Sequence, residues 1–213
     1  MKRAAFLIAA VYGLILIALT QPVAIFSFWG TQIDSVEMFR QPVYWIWILV
    51  MMTGQLALLV IPTRVAGGRP VSRRSLIWPI AASGLMMGIL AAGLIFALYE
   101  LAFHGSPSGK EQFVILSELV LVWALWALVF RRWSNREEPG PLVRKLSRTV
   151  YRGSILELLV AVPSHLIARQ RTYCCAGADT FVAIAFGLSV MLFSFGPGIF
   201  FLYADRIKGL KPK

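Results

Sequence analysis

Six side chains in this sequence have the types that bind soft metal ions or exchange electrons through thiols. They are both cysteines, both histidines and two acids within apolar segments: Cys174, Cys175, His104, His165, Glu100 and Glu118. Imidazole, thiolate and carboxylate together are ligands for zinc or copper. Adjacent cysteines are a poor chelate for tetrahedral zinc, so the pair suits a transient soft-metal acceptor or a redox couple better.

Each of these residues also has a simpler interpretation. The cysteines could form a disulfide to another protein or pack as small hydrophobic side chains. His165 could cap the end of its segment, because Pro163 releases a carbonyl nearby. His104 falls in a predicted turn, where solvation is enough to explain it, and Glu118 could hydrogen-bond to a neighbouring helix. Both histidines are predicted near the surface, which disfavours haem ligation.

A third acid, Glu157, also falls within an apolar segment. The predicted segment begins at residue 153, so Glu157 is expected near the membrane surface and close to Arg152. An ion pair at headgroup level, or a favourable position at a helix N-terminus, would account for it there. Glu157 is therefore not included in the candidate site.

The composition is that of a chain surrounded by lipid. Apolar residues make up 58% of the 213, charged residues 15%, and the mean hydropathy is +0.72. Apolar runs of about 20 residues match the thickness of a bilayer. We therefore predict one all-α, polytopic transmembrane helical bundle, residues 1–213, with no separate soluble domain. The six predicted helices cover about 4–28, 43–61, 76–103, 113–130, 153–168 and 181–203.

The basic residues predict the orientation of this bundle. If all six segments cross, 17 of the 21 Lys and Arg residues fall on one side, which predicts that both termini are cytoplasmic. Within the basic loop 131–152, the apolar residues share one helical face, which predicts a basic amphipathic helix on the membrane surface. If segment 153–168 does not cross, five helices remain and the basic tail lies outside, against the rule that basic residues stay on the cytoplasmic side.

The basic residues cluster at helix ends, so the net charge of +11 is expected to attract anionic headgroups rather than nucleic acid.

The C-terminal third carries a resemblance to known proteins. The stretch ILELLVAVPSH ending at His165, the Cys174-Cys175 pair and FSFGPG at 193–198 resemble a group of bacterial multi-pass membrane proteins of uncharacterised activity. This resemblance implies a bacterial inner membrane and no particular activity. The cysteine pair before an apolar helix is also similar to the vicinal pair of mercuric-ion transport proteins. Those proteins have fewer helices, and their pair is embedded in the first one.

The functional expectation is a non-enzymatic inner-membrane protein that handles a soft metal, copper or zinc, or thiol redox equivalents at the outer face. No phosphate-binding loop, nucleophile elbow or HExxH motif is present, and no acid, base and nucleophile can be assembled into a catalytic set. One alternative is a structural or assembly subunit with protein partners in a membrane complex. Another is a small transporter that uses Glu118 and the Gly196-Pro197-Gly198 break.

Overall fold

The computed structural model describes the backbone of residues 2–27, 40, 42–66, 72–103, 109–173 and 176–209. Within these ranges it describes the side chains outside 2–4, 19–27, 43, 60, 62–66, 109, 112 and 201–209. His104, Cys174 and Cys175 lie outside the described residues, so their predicted part in a metal or redox site stays a prediction.

Six long α-helices and no strand make up the described part of the chain. They are α1 Lys2–Ser27, α2 Pro42–Ala66, α3 Ile77–Phe103, α4 Gly109–Ser134, α5 Pro139–Ala168 and α6 Ala178–Gly209. A short 3-10 turn, Arg73–Leu76, leads into α3, and the Ser72 side chain caps it by accepting the N–H of Arg74. The prediction of an all-helical protein is confirmed.

Four of these helices are long and apolar enough to cross a membrane by length and composition: α3, α4, α5 and α6. In α1 and α2 the described side chains form shorter apolar stretches, Ala5–Ala18 and Tyr44–Leu59. Helices suit this environment because they satisfy all their backbone hydrogen bonds internally, which lipid cannot do for them. Large apolar side chains such as Leu116, Leu121 and Leu159 are exposed on the outside of the bundle, as lipid-facing residues are.

The fifth helix differs from the prediction. The predicted surface helix and the predicted short segment 153–168 are one continuous helix, α5, of 30 residues. It begins where Glu138 is extended and Pro139 follows, and proline is favoured in a first turn because its missing N–H has no partner to lose there. At 1.5 Å per residue α5 is about 45 Å long, longer than the ~30 Å hydrocarbon layer.

The first half of α5 has the predicted amphipathic pattern, but its apolar face packs on protein rather than on the membrane surface. Leu142, Val143, Leu146 and Val150 are fully buried in the protein core, together with Phe130 of α4. The basic residues on the opposite face are exposed. A helix that packs on protein has the same 3.6-residue period as one that lies on a bilayer, so the period alone could not separate the two.

Helices α3 and α6 form the centre of the bundle. Each packs against α5 and α2 as well as against the other, and α6 also contacts α1. Helix α4 packs mainly on α3, where Gly84 and Gly88 allow close approach: a Cβ on Gly88 would lie 2.8 Å from the carbonyl oxygen of Leu119. The Trp123 indole N–H also donates to the carbonyl of Ala81 (3.0 Å). The Gly84–Gly88 spacing therefore serves a contact within the chain.

The two ends of the bundle differ in charge. At one end, Arg73 and Arg74 before α3 and Arg131 near the end of α4 line a common cleft; we call this the basic end. At the opposite end, the C-terminal turns of α3 and α5 meet the N-terminus of α6 around Glu100; we call this the Glu100 end. Helices α3 and α5 therefore run in the same direction, and α6 runs opposite to both.

Candidate functional site: two buried carboxylates

Glu100 is an acid near the end of α3 that is only 1% exposed. Three donors surround its carboxylate. Oε1 accepts the Tyr173 hydroxyl (2.8 Å) and the backbone N–H of Gly177, and Oε2 accepts the backbone N–H of Thr180 (2.7 Å). Hydrogen bonds to an ionised group are stronger than those between neutral groups, so these donors replace the hydrogen bonds to water that burial removes.

This carboxylate acts as the N-terminal cap of α6. Its two backbone donors, at Gly177 and Thr180, belong to the N–H groups that a helix start leaves without intrahelical partners. A negative charge there is also favoured by the helix dipole. Gly177 has φ +89°, and a Cβ on it would lie 3.0 Å from Cγ of Arg169. Glycine therefore suits both the left-handed backbone conformation and the limited space at this position. The acid that caps α6 thus comes from a helix more than 70 residues earlier.

The segment between α5 and α6 is fixed to the same place by Arg171. Its guanidinium donates to the carbonyl oxygens of Glu100 (2.6 Å) and Leu101 (2.7 Å) in the last turns of α3. Those carbonyls need partners from outside the helix end. Burial raises the pKa of the Tyr173 hydroxyl above its ordinary value of 10.0, and the hydrogen bond to Glu100 acts in the same direction.

His165 belongs to the same cluster. Its Nδ1 lies 3.1 Å from the carbonyl oxygen of Gly177 and 3.0 Å from Oγ1 of Thr180. The Thr180 hydroxyl donates to that same carbonyl (3.0 Å), which can accept two hydrogens, so the arrangement places the imidazole proton on Nδ1. The ring also packs against Phe181, with centroids 5.7 Å apart. His165 therefore joins the end of α5 to the start of α6.

The structure brings together only some of the predicted ligands. Glu100 and His165 share one cluster, whereas Glu118 lies on α4 beside Leu119, which faces Gly88. Gly88 is twelve residues before Glu100 on α3, about 18 Å along the helix axis. Among the described residues, no group of three or more His, Cys, Asp or Glu side chains could hold a metal ion. The Glu100 oxygens are occupied by N–H and O–H donors.

Glu157 is the second buried carboxylate, and its surroundings are the reverse of those of Glu100. It is 3% exposed, and neither oxygen has a hydrogen-bond partner in the described part of the chain. Two glycines make room for it. A Cβ on Gly93 of α3 would lie 3.1 Å from Oε1, and a Cβ on Gly187 of α6 would collide with Oε2. The carboxylate therefore fills a gap between α3 and α6 that only glycines leave open.

The position of Glu157 corrects the sequence-based expectation. It was expected near the membrane surface with Arg152 as a neighbour, but Arg152 is exposed and no ion pair to Glu157 is formed among the described residues. Glu157 lies eighteen residues after Pro139 and eleven before Ala168, about 27 Å and 17 Å along the helix axis, so it is well inside α5 rather than near its start.

The buried face of α5 carries further polar groups above and below Glu157. Ser147, Ser154 and Ser164 are all buried and fall on one helical face with it. From Ser147 to Ser164 this row of hydroxyls extends over about 25 Å. Ser154 donates to the carbonyl of Tyr151 (2.8 Å), whereas Ser147 Oγ has no partner among the described residues.

Gln55 of α2 is a functional candidate that the sequence analysis missed. It is fully buried, and neither end of its amide has a hydrogen-bond partner among the described residues. Gly196 makes room for it, because a Cβ there would collide with Nε2 of Gln55. Helix α6 continues through Pro197, so the Gly-Pro-Gly sequence accommodates a side chain rather than ending the helix. Gln55 is an uncharged side chain within an apolar run, so nothing along the chain indicated that it is fully buried.

For Glu157 a signal was present. Pro139 and Pro141 could have marked the start of a helix running to Ala168, and that start places the acid well inside the helix.

The chain matches no protein-family model, no curated protein sequence and no solved structure. The function must therefore be argued from the two carboxylates themselves.

Proposed function

We propose that the protein is a membrane proton carrier in which Glu157 takes up and releases the transported proton, either alone or coupled to a solute. One observation carries this proposal: a carboxylate well inside a helix long enough to cross a membrane, 3% exposed, with no hydrogen-bond partner among the described residues. An ionised acid buried without a counter-charge is strongly disfavoured. A bound proton removes that charge, and acids inside membrane segments are typical of proton pathways.

The surroundings of Glu157 favour a proton over a metal ion. A hard cation needs about six oxygen ligands, whereas α3 and α6 face this carboxylate with Gly93 and Gly187, whose side positions have no oxygen to offer. Ser154 and Ser164, one turn before and two turns after Glu157, offer hydroxyls along the same buried face. Such hydroxyls can pass a proton or hold a water that does.

We also propose that all six helices cross a bacterial inner membrane, with the basic end in the cytoplasm and both termini on that side. Arg73, Arg74 and Arg131 line one cleft, which agrees with the predicted clustering of basic residues on one side. The cysteine pair would then face outward. Membrane-impermeant maleimide should label Cys174 and Cys175 in intact cells, and labelling only after lysis would contradict this orientation.

The proton-carrier proposal is tested in liposomes that contain a pH dye and a potassium gradient. On adding valinomycin, the wild-type protein should acidify the interior faster than protein-free liposomes do, and Glu157→Gln should abolish the difference. Glu118→Gln is the matched control, because it neutralises another acid of the apolar segments, and it should retain the flux. No flux by the wild-type protein, with or without candidate solutes, would contradict the proposal.

Infrared spectroscopy tests the protonated acid without any transport assay. The wild-type protein should show the carbonyl band of a protonated carboxylic acid at neutral pH, and that band should disappear in Glu157→Gln. A band that instead disappears in Glu118→Gln would assign the proton to the other acid.

Binding of a soft metal by Cys174 and Cys175 is a second candidate function, and the anchoring of their neighbours favours it. The Tyr173 hydroxyl and the Gly177 N–H both bind Oε1 of Glu100, so the chain is held on either side of the pair, next to His165. Elemental analysis of protein purified without chelator should find copper or zinc that Cys174→Ser/Cys175→Ser removes. Metal-free wild-type protein would contradict this function and leave the proton-carrier proposal untouched.

A further inference from the structure

At the basic end, a cavity of about 540 Å³ opens between the start of α3 and the end of α4. Its walls are largely apolar and include Ile77 and Ile80 of α3 and Leu128 of α4. Below Ile80, the hydrogen bond from Trp123 to the carbonyl of Ala81 ties the two helices together. The cavity is therefore a cleft between two helices, large enough for part of an amphiphilic molecule.

Three arginines contribute the charge of this cleft: Arg73, Arg74 and Arg131. No acidic residue lines it, and none of the three forms an ion pair with a described residue. By contrast, Lys145 at the same end is paired with Glu137. The cleft thus has a concentrated positive charge that the described protein does not neutralise.

We propose that this cleft binds one anionic phospholipid of the surrounding bilayer. The phosphate would lie between Arg73, Arg74 and Arg131, where guanidinium groups can donate paired hydrogen bonds to its oxygens. The start of an acyl chain would lie along Ile77 and Leu128, which are 61% and 63% exposed. Basic pockets between transmembrane helices are suited to anionic headgroups, and the apolar wall favours a lipid over free phosphate because only the lipid has a chain to cover it.

The test is native mass spectrometry of the full chain in mild detergent, titrated with phosphatidylglycerol, phosphatidylcholine or inorganic phosphate. Phosphatidylglycerol should bind with one-to-one stoichiometry and at least about tenfold more tightly than phosphatidylcholine. Removing all three charges with Arg73→Gln/Arg74→Gln/Arg131→Gln should weaken its binding by about a hundredfold. The matched control Arg132→Gln/Arg148→Gln/Arg152→Gln removes three exposed charges of α4 and α5 and should change binding less than about threefold.

Three results would overturn the lipid site. They are equal binding of the two lipids, equal weakening by the two triple variants, and displacement of the lipid by millimolar phosphate. The last of these would assign the cleft to a free anion. If the cleft variant does not fold, Arg131→Gln alone is compared with Arg132→Gln. That pair differs only in whether the lost charge lines the cleft, and only the first should lower the affinity, by about fivefold.

Discussion

Glu100 and Glu157 are both acids buried in the helical bundle, 1% and 3% exposed, yet they have opposite surroundings. Glu100 receives three hydrogen bonds at the end of the bundle, two of them from the start of α6. Glu157 lies well inside α5 against two glycines and receives none from the described residues. Burial alone therefore does not indicate a functional acid. The number of donors around the carboxylate separates an acid that holds the structure from one that can change its charge.

The largest expected difference between the two acids is in stability. Glu100→Gln replaces a carboxylate oxygen with an amide N–H₂ that faces backbone N–H donors, and it should lower the free energy of unfolding by about 3 kcal/mol. Glu157→Gln meets no donors and should change it by less than about 1 kcal/mol. Unfolding in mixed detergent micelles measures both variants. Equal losses would remove the distinction between the two sites.

The next effect concerns the glycine that makes room for Glu157. Gly187→Ala should destabilise the protein by about 2 kcal/mol, because its Cβ collides with Oε2 of Glu157 and the core must give way. The double variant Gly187→Ala/Glu157→Ala should recover most of that loss, since the colliding atoms are gone. Gly198→Ala on the same helix is the control. Its Cβ meets nothing within 4 Å, so a small gain of up to about 1 kcal/mol is expected there.

If the stability lost in the double variant equals the sum of the losses in Gly187→Ala and Glu157→Ala, Gly187 and Glu157 are not in contact. The gap between α3 and α6 would then not hold the carboxylate, and the transport role of Glu157 would lose its structural basis.

These comparisons show which parts of the molecule a sequence can reveal. Length and hydropathy are local properties, so the helices and several of their ends were predicted well, including Phe103 at the end of α3 and Ala168 at the end of α5. The neighbours of a side chain are not local. Glu100 was singled out as an unusual acid, but its donors come from a segment more than 70 residues later, and no spacing along the chain connects the two.

Glu157 shows the same limit through a boundary. A helix that starts at 153 places Glu157 in its first turns, whereas a helix that starts at Pro139 places it well inside, and only the second position indicates a functional acid. The glycines beside it, Gly93 and Gly187, are on other helices, and apolar runs of a membrane protein contain many glycines. Only the packing shows which of them leave space for a carboxylate.

The smallest effect concerns Tyr173 and refines the picture of the Glu100 end. Tyr173→Phe removes one of three hydrogen bonds to Glu100 and should cost about 1.5 kcal/mol at neutral pH. Since the pKa of Tyr173 is raised in the folded state, its contribution is complete below the ordinary value of 10.0 and declines as the pH rises above it. The difference in stability between wild type and Tyr173→Phe should therefore shrink above pH 10.

Unfolding measured from pH 7 to 11 checks this dependence. A difference that stays constant over that range would mean that the Tyr173 proton does not stabilise the folded state. Tyr151→Phe is a suitable control, because its ring lies against Phe195 and its hydroxyl is not one of the three donors to Glu100.

The distance along the chain between Glu100 and its donors has a consequence for biosynthesis. The acid emerges from the ribosome with α3, but Tyr173, Gly177 and Thr180 are translated 73 to 80 residues later. Until they arrive, the Glu100 carboxylate of the nascent chain lacks all three donors, and a chain that stops before Tyr173 lacks them permanently. The end of the bundle around Glu100 can therefore form only after the start of α6 has been made.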